Sequence, residues 1–80
     1  MNTLETVKSI IAKYIGKDVG TINDTDHLVN ELGLDSLDSI ELVMSIEEEL
    51  NIELDDEQLD DVKTVKQLAD ALDRKKAQNV

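Results

Sequence analysis

The sequence predicts an all-α protein, a small four-helix bundle with three main helices, one short helix and a long ordered loop between the first two. Apolar residues recur at helical spacing in three segments, and no segment carries a strand signal. Amphipathic helices of this kind bury their apolar faces against one another. We expect the 80 residues to form one domain with residues 77–80 frayed.

The first helix is predicted between Asn2 and Gly16. Asn2 is a good N-cap residue type, Glu5 follows it three residues later, and Gly16 supplies a stop signal. The apolar stripe continues to Ile15 and includes Tyr14, the only aromatic residue of the chain. We expect Tyr14 to be a core side chain with its hydroxyl at the rim.

Residues 17–35 form a connection that is long for a compact domain. It contains two glycines and several turn-forming residues, and it has no sustained periodicity. We expect an ordered loop with a short helical turn near residues 28–32, because six apolar side chains can pin it onto the core. These side chains are Val19, Ile22, Leu28, Val29, Leu32 and Leu34.

The second helix is expected over residues 36–50. Asp35 is a good N-cap type, and Asp38 adds negative charge at the positive end of the helix dipole. The apolar arc of this helix is broader than one core-facing stripe requires, and Leu37 and Met44 lie at its edge beside acidic residues. Two interpretations stay open: a solvated face with Leu37 and Met44 buried, or an acidic ridge with two apolar anchors that binds a basic partner.

Capping boxes mark the two remaining helices. A short third helix is expected over residues 56–62, with Asp55 as its cap and Gln58 at the capping-box position. Thr64 and Gln67 form the capping box of the last helix.

Charge is distributed unevenly along the chain. The net charge is −11, and residues 18–62 contain no Lys or Arg. All acidic residues except Glu5, Asp70 and Asp73 lie within that stretch. Nucleic acids and anionic membranes are polyanions, so the charge argues against these two classes of partner and favours a basic one.

Features that the sequence lacks indicate where the protein is located in the cell. The chain has no cysteine, and no apolar segment is long enough to span a bilayer. No basic segment followed by an apolar one marks the N-terminus, so we expect no signal peptide. We therefore expect a cytoplasmic protein, or one of the organelle matrix in a eukaryote.

Residues 23–27 resemble a calcium loop only superficially. Counted from Asp24, position six is Val29 instead of glycine, and Leu28 occupies a ligand position. His27 is the only histidine and has no partner ligands in the sequence around it. We expect no metal site and, at most, weak diffuse binding of cations.

Ser36 is the candidate functional residue. As a catalytic nucleophile it would need a base and an oxyanion-stabilising arrangement, and Asp35 and Asp38 oppose any developing negative charge. We therefore expect no catalytic residue. Two alternatives stay open: a plain helix-start residue, or a modification site where a phosphodiester meets the positive end of the helix dipole.

One longer segment carries a further signal. It reads Glu31-Leu32-Gly33-Leu34-Asp35-Ser36-Leu37-Asp38-Ser39-Ile40-Glu41-Leu42-Val43, and Glu47-Glu48-Glu49-Leu50 follows it. Together with the chain length and the charge, this segment resembles the acyl carrier proteins of dissociated (type II) fatty acid synthesis. The resemblance extends from the first helix to Leu72.

The resemblance implies a monomeric carrier, not an enzyme, whose Ser36 bears a covalent 4′-phosphopantetheine group. A phosphopantetheinyl transferase (holo-carrier synthase) would add this group from coenzyme A. Its thiol would hold growing acyl chains as thioesters and deliver them to basic-surfaced enzymes of fatty acid biosynthesis. The partner-binding residues implied by the resemblance are Asp35, Leu37, Asp38, Ile40, Glu41, Met44, Glu47 and Glu48.

The chain departs from the family pattern at a few positions. The family often has Phe near Leu28 and Leu50, and Ile-Pro-Asp near Leu54, whereas this chain contains neither Phe nor Pro. Two alternatives therefore remain. One is a specialised carrier for polyketide or aminoacyl units, and the other is an unmodified acidic protein-interaction domain.

Overall fold

A computed structural model describes residues 2–78 of the chain. Within that range the chain forms four α-helices and no strand, which confirms the predicted helical bundle. The first helix packs most extensively against the last and also contacts the second. The helices are α1 (Thr3–Ile15), α2 (Ser36–Leu50), α3 (Asp56–Asp60) and α4 (Val65–Gln78).

The predicted caps of α1 and α2 are confirmed. The Asn2 side chain accepts a hydrogen bond from the Glu5 N–H at 2.8 Å. Gly16 ends α1 with a φ of 73°, a left-handed conformation that glycine adopts without strain. At the start of α2, the Asp35 carboxylate accepts a hydrogen bond from the Asp38 N–H at 2.8 Å. Both helices therefore begin where their capping residues predict.

Reciprocal contacts also cap α3 and α4. Gln58 Oε1 accepts a hydrogen bond from the Asp55 N–H at 3.0 Å. The Thr64 hydroxyl accepts from the Gln67 N–H at 3.2 Å, and Gln67 Oε1 accepts from the Thr64 N–H at 3.0 Å. These contacts confirm the two predicted capping positions.

The predicted end of α3 at residue 62 is wrong. The helix ends at Asp60, and the Val62 N–H donates to the Leu59 carbonyl at 3.1 Å, one residue closer than in an α-helix. Because α4 begins at Val65, the chain must change direction within a few residues, and the tight turn achieves this. At the other end of α4, residues 77 and 78 are helical where fraying was expected, and residues 79–80 lie outside the described range.

The long connection is ordered, and it contains a short 3₁₀ helix at Val19–Thr21 that the sequence did not predict. The expected helical turn at residues 28–32 forms as a hydrogen-bonded turn. Its N–H groups donate to carbonyls four and five residues earlier, and the Gly33 N–H closes it on the Val29 carbonyl at 3.1 Å.

The expectation that all six loop side chains pin the connection to the core is only partly correct. Ile22, Leu28 and Leu34 are buried, whereas Val19 and Val29 are exposed. A single turn can direct only one of its sides inward, so Leu28 faces the core and its neighbour Val29 faces outward.

Backbone hydrogen bonds tie this loop to the start of α4. An isolated bridge pairs His27 with Thr64 in antiparallel orientation. The N–H groups of Leu28, Val65 and Lys66 donate to the carbonyls of Lys63, Asp26 and Asp24 at 2.9, 3.1 and 2.9 Å, respectively. The segment that leads into α2 is therefore held by a part of the chain nearly forty residues away.

The core is entirely aliphatic. Its buried residues come from all three long helices and from the connections between them. The buried core residues are Val7, Ile11, Ala12, Ile22, Leu28, Leu34, Leu42, Val43, Ile46, Ile52, Leu54, Val65, Leu68, Ala69, Ala71 and Leu72.

Among the described helices, none is long and apolar enough to traverse a lipid bilayer.

Candidate functional site

Ser36 is the first residue of α2, and it is exposed to solvent. Its neighbour Asp35 is the N-cap, whose carboxylate is held on the Asp38 N–H and whose carbonyl accepts from the Ser39 N–H at 2.9 Å. The first turn of α2 therefore has a fixed backbone geometry, and the Ser36 hydroxyl is accessible to an incoming enzyme.

Three apolar side chains of α2 lie on the surface. Leu37, Ile40 and Met44 are 65%, 55% and 59% exposed. The interpretation in which Leu37 and Met44 are buried in the core is therefore wrong. The side of α2 next to Ser36 instead presents apolar side chains among carboxylates, the arrangement described by the second interpretation.

The acidic residues of α2 have different surroundings. Glu41 and Glu48 are exposed, and Asp38 is half-buried. Glu47 is half-buried as well, and its Oε2 accepts a hydrogen bond from the Leu54 N–H at 2.8 Å. Glu47, which the resemblance assigns to partner binding, therefore also holds the connection between α2 and α3 in place.

Tyr14 is not the core side chain that we expected. It is 39% exposed, and its hydroxyl donates to Glu41 Oε2 at 3.1 Å, so that it links α1 to α2. Desolvation of the phenol raises the pKa of Tyr14 above its ordinary value of 10.0, and the Glu41 hydrogen bond raises it further. The charges of Glu41, Asp38 and Asp35 act in the same direction, because each opposes formation of the tyrosinate.

A groove of about 410 Å³ opens beside Ser36. It lies between α2, the turn at residues 27–29 and the end of α3, and its wall is mostly aliphatic. We call it the α2 groove. The residues that line it are His27, Leu28, Val29, Ser36, Ser39, Ile40, Val43, Met44, Glu47, Leu59, Val62 and Lys63.

His27 stabilises the turn that forms one wall of the α2 groove. Its Nδ1 accepts hydrogen bonds from the Val29 N–H at 3.1 Å and the Asn30 N–H at 3.2 Å. These contacts resemble those of a helix N-cap, which satisfies backbone N–H groups that the turn leaves unpaired. The histidine thus acts as a structural cap, a role that its residue type does not predict.

The sequence reasoning missed the α2 groove itself. A signal for one of its walls was present, because Ser36, Ser39, Ile40 and Val43 are spaced so that they share one side of a helix. The opposite wall comes from Leu59 and other residues of distant segments. Their position depends on tertiary packing, which helical spacing does not reveal.

The acid-rich segment at residues 23–27 forms a turn closed by the Asn23 N–H, which donates to Asp26 Oδ2 at 2.9 Å. Asp24 pairs with Lys8 of α1. Across residues 2–78, no three His, Cys, Asp or Glu side chains are grouped so that they could hold a metal ion.

Comparison with known proteins adds two findings. A family model described as "Phosphopantetheine attachment site" matches residues 5–72. An acyl carrier protein from Helicobacter hepaticus is 38% identical over 66 residues, which cover 82% of this chain and 87% of that protein.

Proposed function

Because the chain belongs to the acyl carrier protein family, we propose that Ser36 carries the 4′-phosphopantetheine group and that the α2 groove shelters the attached acyl chain. The protein is an acyl carrier and not an enzyme, and its cofactor is phosphopantetheine. The observation that carries the proposal is the exposed Ser36 hydroxyl, which lies at the helix start and at the edge of an apolar groove.

The residues around Ser36 suit a group of this chemistry. An exposed hydroxyl at the first helical position is accessible to a transferase, and the positive end of the helix dipole favours the charge of a phosphodiester. The aliphatic wall of the α2 groove suits a hydrocarbon chain, because each buried CH₂ contributes about 0.8 kcal/mol. When bound, the cofactor supplies a thiol that holds an acyl group as a thioester.

Loading would be a phosphoryl transfer from coenzyme A. The bond from Ser36 Oγ to phosphorus forms as the diphosphate bond of coenzyme A breaks, and adenosine 3′,5′-bisphosphate leaves. A base of the transferase takes the hydroxyl proton. This chain supplies the nucleophile and a rigid helix start, and the partner supplies the catalysis.

We propose that the surface next to Ser36 docks basic partner enzymes. Exposed Leu37, Ile40 and Met44 provide apolar anchors, and the carboxylates of Glu41 and Glu48 provide charge complementarity. Charge of this kind accelerates encounter, and exposed ion pairs contribute little affinity each, so partners can exchange rapidly. The remaining members of the proposed docking surface are Asp35, Asp38 and Glu47.

We propose fatty acid biosynthesis as the pathway, with enzymes of that pathway and the holo-carrier synthase as partners. This pathway is consistent with the name of the bacterial relative, and we propose a bacterial-type cytoplasmic location because that relative is bacterial.

Intact-mass measurement tests the attachment site directly. The purified protein is incubated with coenzyme A and a phosphopantetheinyl transferase of broad specificity. We expect one phosphopantetheine mass increment, which Ser36→Ala abolishes and Ser45→Ala on the same helix retains. An increment that persists in Ser36→Ala, or no increment in the unaltered protein, would refute the assignment.

A further inference from the structure

We propose that Ser39 selects the cargo of the α2 groove by donating a hydrogen bond to an oxygen on the acyl chain near its thioester. The favoured cargo is then a 3-hydroxy or 3-oxo acyl group, in preference to a saturated chain of equal length. This inference rests on the proposed function of Ser36 and the α2 groove.

The first supporting observation is the state of the Ser39 hydroxyl. Its Oγ is buried, and it has no hydrogen-bond partner within residues 2–78. Buried hydroxyl groups in native proteins nearly always have a partner, because leaving one unpaired is costly. A serine kept in this state next to a ligand groove is explained if the ligand supplies the partner.

The second observation is its position. Ser39 lies three residues after Ser36 and lines the α2 groove with it. The proposal requires the flexible arm to fold back so that the start of the cargo lies at this end of the groove. The Ser39 backbone is fixed by its N–H bond to the Asp35 carbonyl at 2.9 Å. Rotation about the Cα–Cβ bond of this half-buried residue is the only side-chain movement that the proposal requires.

The third observation concerns the other polar groups of the groove wall. His27 Nδ1 accepts two backbone N–H groups, and the Glu47 carboxylate accepts the Leu54 N–H. Ser36 is the attachment point, and Lys63 is exposed at the rim. Ser39 therefore provides a buried donor without a partner on the same helix as the attachment point.

The aliphatic part of the wall explains why the oxygen should lie near Ser39. Val43, Leu59 and Val62 also line the groove, and they offer no polar side-chain group. An oxygen far along the chain would be desolvated without compensation. A saturated chain avoids that cost, but the Ser39 hydroxyl stays unpaired as in the unloaded protein, so this chain gains no hydrogen bond there.

Chemical protection of the thioester measures this preference. The protein is loaded on Ser36 with an octanoyl or a 3-hydroxyoctanoyl group, and the rate of thioester cleavage by hydroxylamine is recorded. Each rate is compared with that of the same acyl group on free pantetheine, which removes differences in intrinsic reactivity. We expect Ser39→Ala to lower the ratio of 3-hydroxy to saturated protection by roughly two- to tenfold, the effect of one hydrogen bond.

Three variants make the test specific. Ser39→Thr keeps a hydroxyl and should retain the preference, whereas Ser39→Cys keeps the size but offers only a weak donor and should lose it. Ser45→Ala, which removes a serine of α2 that does not line the α2 groove, should behave like the unaltered protein. Amide chemical shifts around residue 39 should respond to the 3-hydroxy chain more strongly than to the saturated chain.

Two outcomes would overturn the proposal. One is a ratio that neither Ser39→Ala nor Ser39→Cys changes, and the other is an equal loss of protection for both chains. The second outcome would mean that Ser39 contacts the thioester common to all cargo. Failure of Ser36 to accept the cofactor appears separately in the intact mass, and it would refute the proposed function together with this inference.

Discussion

At the scale of single residues, the contact between Tyr14 and Glu41 joins α1 to the proposed docking surface on α2. An amphipathic ring at the end of α1 was expected to complete the core, but its hydroxyl donates to a carboxylate of α2. The bond fixes one of the charges that a partner would meet. It also places a titratable phenol in a strongly negative environment.

Titration of Tyr14 tests this environment. The chain has no other Tyr and no Trp, so the tyrosinate absorbance reports this residue alone. We expect a pKa above the ordinary value of 10.0, and we expect Glu41→Gln to lower it. Glu53→Gln, which removes the same charge elsewhere, should have a smaller effect. A pKa at or below the ordinary value in the unaltered protein would contradict the contact.

The sign of the linked stability change follows from the same shift. Folding raises the pKa of Tyr14, so the protonated phenol stabilises the folded state below the ordinary pKa of 10.0. That contribution is lost as the pH rises through the raised value of the folded state. The stability difference between the unaltered protein and Tyr14→Phe should therefore shrink at strongly alkaline pH, as urea denaturation would show.

At the scale of the helix, α2 combines a structural role with a proposed recognition role in adjacent residues. Glu47 accepts the Leu54 N–H and so orders the start of the following connection, whereas Glu48 is exposed. The two residues have the same charge and the same type. Comparing substitutions at Glu47 and Glu48 therefore distinguishes the effect of charge on stability from the effect of the hydrogen bond.

Unfolding experiments can measure that difference. We expect Glu47→Ala to lower the free energy of unfolding by about 1 kcal/mol or more relative to Glu48→Ala, because only Glu47 accepts a backbone N–H in a half-buried position. Both variants remove one negative charge, so the relief of repulsion largely cancels between them. Equal stability in urea denaturation would show that the Leu54 contact contributes nothing.

Charge reversal on the exposed side of α2 tests docking. We expect Glu48→Lys to raise the KM for loading by a phosphopantetheinyl transferase by about two- to tenfold at low salt, since an attractive charge becomes repulsive. Glu5→Lys on α1 makes the same change away from the docking surface and should have little effect. Circular dichroism checks that both variants fold. Unchanged kinetics for Glu48→Lys would remove this residue from the docking surface.

The sequence allowed the helices to be predicted well, because local groups define their ends. Asn2, Gly16, Asp35 and Thr64 act within a few residues of themselves, so their effect is visible in the sequence. The predicted end of α3 was wrong, because the actual end depends on where α4 must begin.

The candidate site was less predictable for the same reason. Local context singled out Ser36 and the family resemblance implied its role, but the α2 groove requires α3 and a loop turn to pack beside α2. Exposure of Leu37 and Met44 could not be decided from a helical wheel, because a wheel gives the relative directions of side chains and not what covers them.

For the whole molecule, the net charge of −11 is the main electrostatic effect that opposes folding. Repulsion among like charges destabilises a compact state and is screened by salt. We expect the Tm to rise by about 5 °C or more between about 0.05 M and about 0.5 M NaCl, which corresponds to roughly 1 kcal/mol of relieved repulsion. The same titration near the sequence pI of 4.2 should raise the Tm much less. A Tm that is independent of salt at neutral pH would contradict this account.

The pairing of the loop at residues 24–28 with the start of α4 has a consequence for synthesis in the cell. A chain still attached to the ribosome exposes the serine segment well before residues 63–66 emerge, and until then the loop has no partner to close against. The serine segment would thus reach its final geometry only once residues 63–66 are in place, and we expect a chain that stops before them to be a poorer acceptor of the proposed cofactor.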